Sequence, residues 1–479
     1  MIIDYLKELF LQNFGHNPTE EQLLAVQKLS EFILADFNAD QARANRCVCL
    51  NGYAGTGKTS LVAALVKTMS QLERKCVLLA PTGRAAKVFA SYAGHQAFTI
   101  HKFIYRQRSL DNDAVFTINF NQLRNTLFVV DEASMISNDP SGGVYGTDRL
   151  LDDLISFVYS GEGCRLILLG DTAQLPPVGQ LKSPALQPDV LRGYGLDVTY
   201  ITLTQVVRQG EQSGILANAT SLRNIIETHG QGFDVTWNRD IDNVPGNELI
   251  ESLAGSYHHA GTDDTIVVCR SNKRAHVYNM GIRNQILDRE EELSHGDIIM
   301  IAKNNYYWIG RNNDTPHDVE AQAPSPTTFL ANGDIARVVR VRNERELYGF
   351  RFADCTMILP DYNDMEITAI VLLDTLHTEA PALSREQQDI LYNKVLEDYA
   401  DIPYKRERLK KLREDPYYNA LQIKYAYAVT CHKAQGGQWS EVYIDQGYIT
   451  PDMLNTDYYR WLYTAFTRAT QHVHLVNWK

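Results

Sequence analysis

Gly52-Tyr-Ala-Gly-Thr-Gly57-Lys58-Thr59 sets glycines in a short loop and follows the last of them with a lysine and a hydroxyl. Glycines free backbone N–H groups to wrap a row of phosphates, a lysine in that place reaches the β- and γ-phosphates, and the hydroxyl holds Mg²⁺. The ligand this implies is ATP, with Gly52, Gly55, Thr56, Gly57, Lys58, Thr59 and Ser60 as its contacts. A glycine-rich turn with a surface lysine is the plainer alternative. It does not account for the second half of the chemistry, Phe128-Val-Val-Asp131-Glu132, where an apolar run ends in two carboxylates. Asp131 would join Thr59 on the metal, and Glu132 would take the proton of an attacking water. Phosphoryl transfer needs little from a protein beyond positioned charge, so metal ligand, base and cations must converge. Gln174, in Leu169-Gly-Asp171-Thr-Ala-Gln174-Leu-Pro-Pro177-Val, is an amide at a strand end that could touch a γ-phosphate. A loop amide bonded to its neighbours is the other reading. Arg208 and Arg468 supply cations able to neutralise transition-state charge, although each taken singly also fits a surface ion pair.

Those residues need a scaffold that brings strand ends together. Val48-Cys-Leu-Asn51, Cys76-Val-Leu-Leu-Ala80, Leu127-Phe-Val-Val130 and Leu166-Ile-Leu-Leu169 are near-continuous apolar runs between helical patterns, as in a buried parallel sheet. Between the second and third, Phe116, Ile118 and Phe120 alternate after an Asp-Asn-Asp turn signal, so a hairpin is expected near residues 104–126. The α/β pattern restarts at about residue 198, with Thr265-Ile-Val-Val-Cys269 as a core strand, and both arginines fall in this second part. Short strands broken by turns fill 296–380 in the manner of a small β-barrel. A charged helical stretch then runs to about 417, including Lys405-Arg-Glu-Arg-Leu-Lys-Lys-Leu-Arg413, whose default reading is a solvated face. The α/β pattern resumes from 418. The boundaries read this way are 1–197, 198–295 with 418–479, and an insert over 296–417.

The totals agree with an enzyme of several domains. The chain has 479 residues, 44% hydrophobic and 22% charged, with a formal net charge of −12. That balance excludes a polycationic binder but leaves room for a locally basic groove. Seven scattered cysteines without a C-x-x-C pair argue against both disulfides and zinc. The first residues read as an amphipathic helix and not as a signal peptide, and no run of about 18 apolar residues appears, so a cytoplasmic protein is expected.

Taken in order, these motifs resemble superfamily 1B DNA helicases, the RecD-like and Dda-like family. Thr19-Glu-Glu-Gln22 looks like that family's adenine-reading segment, which gives Gln22 its candidate role. Leu79-Ala-Pro-Thr82-Gly-Arg-Ala-Ala-Lys87, Thr99-Ile-His101-Lys and Val429-Thr430-Cys-His432-Lys433-Ala-Gln435-Gly436 look like its strand-contacting motifs. The residue types agree: Thr82, Thr99, His101, Thr430, His432 and Lys433 offer donors to a phosphate backbone without reading bases. His101 and His432 also fit as ordinary structural histidines. The resemblance implies two RecA-like P-loop NTPase domains, a β-hairpin pin in the first and an SH3-like β-barrel insert in the second. It implies movement 5′→3′ on single-stranded DNA and unwinding at single-strand/duplex junctions, with Phe116 as a wedge or, equally, a buried hairpin aromatic. An RNA-directed helicase, a translocase that does not unwind, and an ATP-switched recombination or repair subunit are the competing functions, because backbone contacts do not tell DNA from RNA.

Overall fold

The computed structural model describes residues 2–34, 45–107, 116–139, 147, 149–206, 213–311 and 329–478. They fall into two compact units. The first comprises residues 1–241, 435–438 and 450–468, and the second 242–434, 439–449 and 469–479.

In the first unit the strands are β1 (Arg46–Gly52), β2 (Cys76–Ala80), β3 (Ala97–Thr99), β4 (Tyr105–Gln107), β5 (Phe116–Ile118), β6 (Leu127–Val130), β7 (Arg165–Gly170) and β8 (Asp197–Leu203). Six of them form one sheet in the order β3-β2-β6-β7-β1-β8. Every pairing in it is parallel. The apolar runs of β1, β6 and β7 are buried along almost their whole length, which is what a parallel sheet covered on both faces requires. Val48, Leu50, Val129, Ile167 and Leu169 meet Phe10, Leu29, Leu61 and Leu65 of the covering helices in one core. β4 and β5 form the expected antiparallel hairpin.

Two outcomes depart from the sequence reading. The sheet does not stop at residue 197: β8 pairs with β1 along its length, and the helix Gly214–Thr228 belongs to the same unit. An edge strand of mixed exposure, as in Asp197–Leu203, looks the same whichever sheet it joins. Arg468, expected in the second α/β part, is grouped with the first unit. The preceding helix Thr456–Phe466 packs on Gly214–Thr228, with Phe466 edge-on to Phe233 at 6.3 Å.

The second unit contains β9 (Ile241–Val244), β10 (Thr265–Cys269), β11 (Ile298–Ile301), β12 (Ile335–Leu347), β13 (Phe350–Leu359), β14 (Met365–Leu372), β15 (Leu421–Tyr425), β16 (Ala428–Thr430), β17 (Trp439–Asp445) and β18 (Ala469–Val476). Its sheet runs β16-β10-β17-β18-β9, and β11 to β15 close into a barrel. The barrel's last strand lies beyond 417, so the inserted segment extends to Tyr425 before β16 returns to the sheet. The helices Arg385–Glu397 and Lys405–Arg413 pack Leu391, Val395 and Leu412 against Phe352 and Leu372, leaving the basic side chains of the latter helix largely outward. Fully buried Asp297, just before β11, accepts both a two-pronged bond from Arg283 at 3.0 Å and the Tyr427 hydroxyl at 2.8 Å. This network fixes the barrel's entry strand beside the approach to β16.

Candidate nucleotide site and strand-contacting residues

The phosphate loop is built by backbone geometry. Gly57 holds φ 79°, a left-handed value that a side chain disfavours, and it starts the helix Lys58–Gln71. At Gly52 a Cβ would come within 2.7 Å of the Lys58 side chain, so the close passage of Lys58 over the loop requires glycine there. Lys58 folds back onto the loop, donating to the carbonyls of Gly52 and of Tyr53, the latter at 3.0 Å. Thr59 is exposed on the first helical turn, Ser60 half-buried behind it, and Thr56 is buried with its hydroxyl on the Tyr53 carbonyl at 2.8 Å.

Thr19-Glu-Glu-Gln22 forms a capping box: the Gln22 N–H donates to Thr19 Oγ1 at 3.2 Å, and the Thr19 N–H donates back to Gln22 Oε1 at 3.0 Å. Gln22 Nε2 then donates to the Thr56 carbonyl at 2.9 Å. The buried Gln22 amide therefore braces the phosphate loop. Glu21 secures the strand end beside it, accepting from Thr204 and from the Gln205 N–H at 2.9 Å.

β6 delivers the carboxylate pair. Asp131 accepts from the Glu132 N–H at 2.8 Å and from the Tyr92 hydroxyl, which fixes its plane. Glu132 has φ 50°, a left-handed conformation for a residue with a side chain. Such strain costs about 1–3 kcal/mol and gathers at working sites. Burial pushes the Glu132 carboxyl above the ordinary range, Arg468 and Lys58 pull it back, and Asp131 pushes it further up. Burial likewise raises Asp131 and Asp171, with Tyr92 and Lys58 respectively opposing it most.

Arg468 joins this cluster, and Gln174 follows Asp171 at the end of β7, its N–H donating to the Asp171 carbonyl at 3.3 Å. Arg468 Nη1 lies 3.9 Å from Glu132 Oε1, and the guanidinium is otherwise held by the Thr464 carbonyl at 3.1 Å and the Gly437 carbonyl at 3.2 Å. Gln174 is 7% exposed, and its Oε1 is buried without a hydrogen-bond partner. A buried unpaired amide oxygen is costly, so this atom suits a ligand or an attacking water. Arg208 lies outside the described residues.

The sequence reading missed the residues that tie these loops together. The buried Tyr463 hydroxyl donates to Asp171 Oδ2 at 2.5 Å and accepts the Ala54 N–H at 2.9 Å. Thr464 Oγ1 accepts the Leu175 N–H at 2.9 Å, and Gln435 Nε2 donates to the Leu175 carbonyl at 2.8 Å. Tyr463 and Thr464 lie within five residues of Arg468 in the sequence, and their side chains gave no signal of this role. Tyr463→Phe leaves a buried N–H and a buried carboxylate each short of a partner, at about 1–3 kcal/mol per group. It should lower ATP turnover about tenfold without loss of fold; turnover within twofold of wild type in a steady-state assay would show that the link is dispensable.

The strand-contacting candidates stand where strands end and helices begin. Thr82 Oγ1 caps the helix Gly83–Ala93 by accepting from Ala85 N–H, and Thr99 Oγ1 caps Ile100–Ile104 by accepting from Lys102 N–H. Thr82 is half-buried and Thr99 is buried. His101 is pushed down to about 4 by burial, so it is neutral at physiological pH and offers a hydrogen bond and no charge. In the second unit Thr430 ends β16, and His432 and Lys433 follow on the short helix Cys431–Ala434. Burial lowers both of these as well.

Thr430 and Lys433 line a small cleft together with His276, Thr378 and Lys424. Lys424 donates to the Thr378 carbonyl at 2.5 Å and is lowered to about 8 by burial and then by Lys433. Its charge is present below that pH and lost above it. Affinity for single-stranded DNA should therefore fall several-fold, on the scale of one charge-assisted hydrogen bond, between about pH 7 and pH 9. Fluorescence-anisotropy titrations should show this step absent in Lys424→Met; an unchanged step would remove Lys424 from the groove.

Residues 38–230 match the model of the AAA domain, and residues 425–476 that of the UvrD-like helicase C-terminal domain. An uncharacterised protein of Acanthamoeba polyphaga mimivirus is 22% identical over 531 aligned positions, covering 95% of this chain and 98% of its own length. The ATP-dependent RecD2 DNA helicase of Deinococcus radiodurans is 32% identical over 184 residues, 38% of this chain and 22% of that protein. The ATP-dependent DNA helicase dda of Enterobacteria phage T4 is 25% identical over 271 residues, 53% of this chain and 56% of the phage protein. The matched parts thus span about a fifth of the one helicase and just over half of the other. With the phosphate loop, the carboxylate pair and Arg468 drawn to one site, the chain is similar, over parts of its length, to ATP-dependent DNA helicases of the RecD2 and dda kind.

Proposed function

We propose that the chain hydrolyses ATP to move 5′→3′ along single-stranded DNA and to open the duplex ahead of it. The observation that carries this reading is the convergence of buried Asp171 and Arg468 with half-buried Lys58 and Glu132 in one cluster, where their charges act on one another. Lys58 would leave the loop carbonyls for the β- and γ-phosphates, Glu132 would accept the water's proton, and Gln174 would register the γ-phosphate. Arg468, and Arg208 in the segment not described, would offset charge on the transferred group. Gln22 would also touch the adenine. The oxygen-only pair Thr59 and Asp131 suits Mg²⁺, which when bound neutralises charge on the phosphate oxygens.

In this reading the two sheets are RecA-like, the barrel is an SH3-like insert, and the β4–β5 hairpin is a pin. The Phe116 side chain and the hairpin tip lie outside the described residues. At the hairpin's base Phe120 is 72% exposed with the Arg106 guanidinium 5.0 Å from its ring, an aromatic surface available to a junction base pair. Thr82, Thr99 and His101 in one unit, and Thr430, His432 and Lys433 in the other, would contact the strand's backbone. Binding should then weaken with salt and show little base preference.

Duplexes carrying a 5′ tail, a 3′ tail or no tail test the proposal directly. Opening of the 5′-tailed duplex alone, dependent on ATP and Mg²⁺, is the expected result. Opening of the 3′-tailed substrate instead would overturn the direction, and strand-stimulated ATPase without opening of any duplex would leave a translocase.

A further inference from the structure

β9, β18 and β17 lie side by side in the second unit's sheet, and together they carry two imidazoles among carboxylates. His472 and His474 are two apart on β18, so strand alternation puts both on one face. Their rings stack with centroids 4.5 Å apart. Asp242 of β9 meets His472 Nε2 at 2.7 Å, and Glu441 of β17, the register partner of His472, meets His474 Nε2 at 2.6 Å. One ligand atom each from Asp242, His472 and His474 lies within 4.8 Å of the other two. Tyr443 stacks on His474 at 4.2 Å, and its hydroxyl is held by Ser252 and Ser256 at 2.8 Å, which makes a rigid floor.

A second observation points to a ligand. His474 is 8% exposed, and its Nδ1 is buried with no hydrogen-bond partner. Leaving such an atom bare costs its full desolvation, so native structures rarely do it. None of these residues takes part in the nucleotide chemistry.

We propose that Asp242, His472 and His474 bind one first-row transition-metal ion, with zinc the best match. Two imidazoles from a His-x-His strand and a carboxylate from its neighbour make three ligands and leave a fourth position for water. Glu441 then acts as the partner that orients a metal-bound histidine: it takes the Nε2 proton of His474 in a hydrogen bond and leaves Nδ1 for the ion. Mixed nitrogen and oxygen donors suit zinc, whereas Mg²⁺ prefers an all-oxygen octahedron. At metal–nitrogen distances of about 2.0–2.1 Å the stacked rings must tilt toward each other. The bound ion joins the edge strand β9 to β18 and so stabilises the sheet.

Chelator-stripped full-length chain, titrated with Zn²⁺ by calorimetry in excess Mg²⁺, should bind one ion and melt at a higher temperature. Co²⁺ in its place should give the visible absorption of a four-coordinate nitrogen and oxygen site. Asp242→Asn and His472→Ala alter positions that are at least partly exposed and should leave folding and ATP hydrolysis with Mg²⁺ unchanged. Each should weaken zinc binding about 100-fold or more, and Glu441→Gln about tenfold, in line with the effect of orienting partners. Unaltered zinc affinity in His472→Ala, or no one-to-one binding by the wild-type chain, would overturn the site and leave two histidine–carboxylate pairs.

Discussion

Glu132→Gln should bind ATP as well as the wild-type chain and turn it over about a thousandfold more slowly, within the range general-base loss produces. The amide has the carboxylate's shape and keeps the neighbours of Glu132 in place, but it cannot take a proton from water. Its effect on stability should run the other way. Burial lifts the folded-state carboxyl above its unfolded value, so the folded protein holds that proton to higher pH. A carboxyl raised in this way makes the charged form a burden: it subtracts stability above the folded pKa and stops doing so as pH falls below the unfolded one. The glutamine variant lacks that burden and should melt at or above the wild-type temperature at neutral pH, with the difference shrinking on acidification. Nucleotide binding by a fluorescent ATP analogue, single-turnover hydrolysis and thermal melts separate the three effects. Hydrolysis above about a tenth of wild type would remove Glu132 from the role of base.

The contrast between Glu132 and Tyr463 shows what a linear reading can reach. Gly57, Lys58 and Thr59 were legible because a positive φ, a phosphate cradle and a helix start are local demands, met within a few residues. Asp131 and Glu132 followed from an apolar run that had to end somewhere polar. Tyr463, Thr464 and Tyr92 act across sequence distances that no period encodes, and their side chains resemble ordinary helix packing until Asp171, Leu175 and Asp131 are seen beside them. The barrel was legible as short strands between turns, but its closure by Leu421–Tyr425 was not, because the same residues read as the resumed α/β pattern. β8 was assigned to the wrong sheet for a similar reason: alternation gives a strand's faces and not its neighbour. Gln22 illustrates the opposite case. Its capping-box spacing is visible in the chain, yet only the structure shows the same amide supporting the Thr56 carbonyl.

Arg468→Ala should lower ATP turnover about a thousandfold, the lower end of what an arginine supplied to the transferred phosphate contributes, while strand affinity stays within about twofold. The arginine is almost wholly buried and held by the Thr464 and Gly437 carbonyls, so its position does not wait on the nucleotide. Its nearest charged neighbour among the described residues is Glu132, and it is the strongest influence drawing that carboxyl back toward the ordinary range. A second consequence follows with a definite sign. Removing the guanidinium lets burial and Asp131 act on Glu132 with less opposition, so the carboxyl keeps its proton to a higher pH. Protonated Glu132 cannot serve as a base; the acid limb of the turnover profile must then move upward. A groove arginine would produce neither effect: its loss would weaken strand binding and leave the acid limb where it was. Turnover measured at saturating strand across the acid range, with strand affinity measured separately, distinguishes the two. An unshifted limb together with equal losses of turnover and affinity would assign Arg468 to the groove.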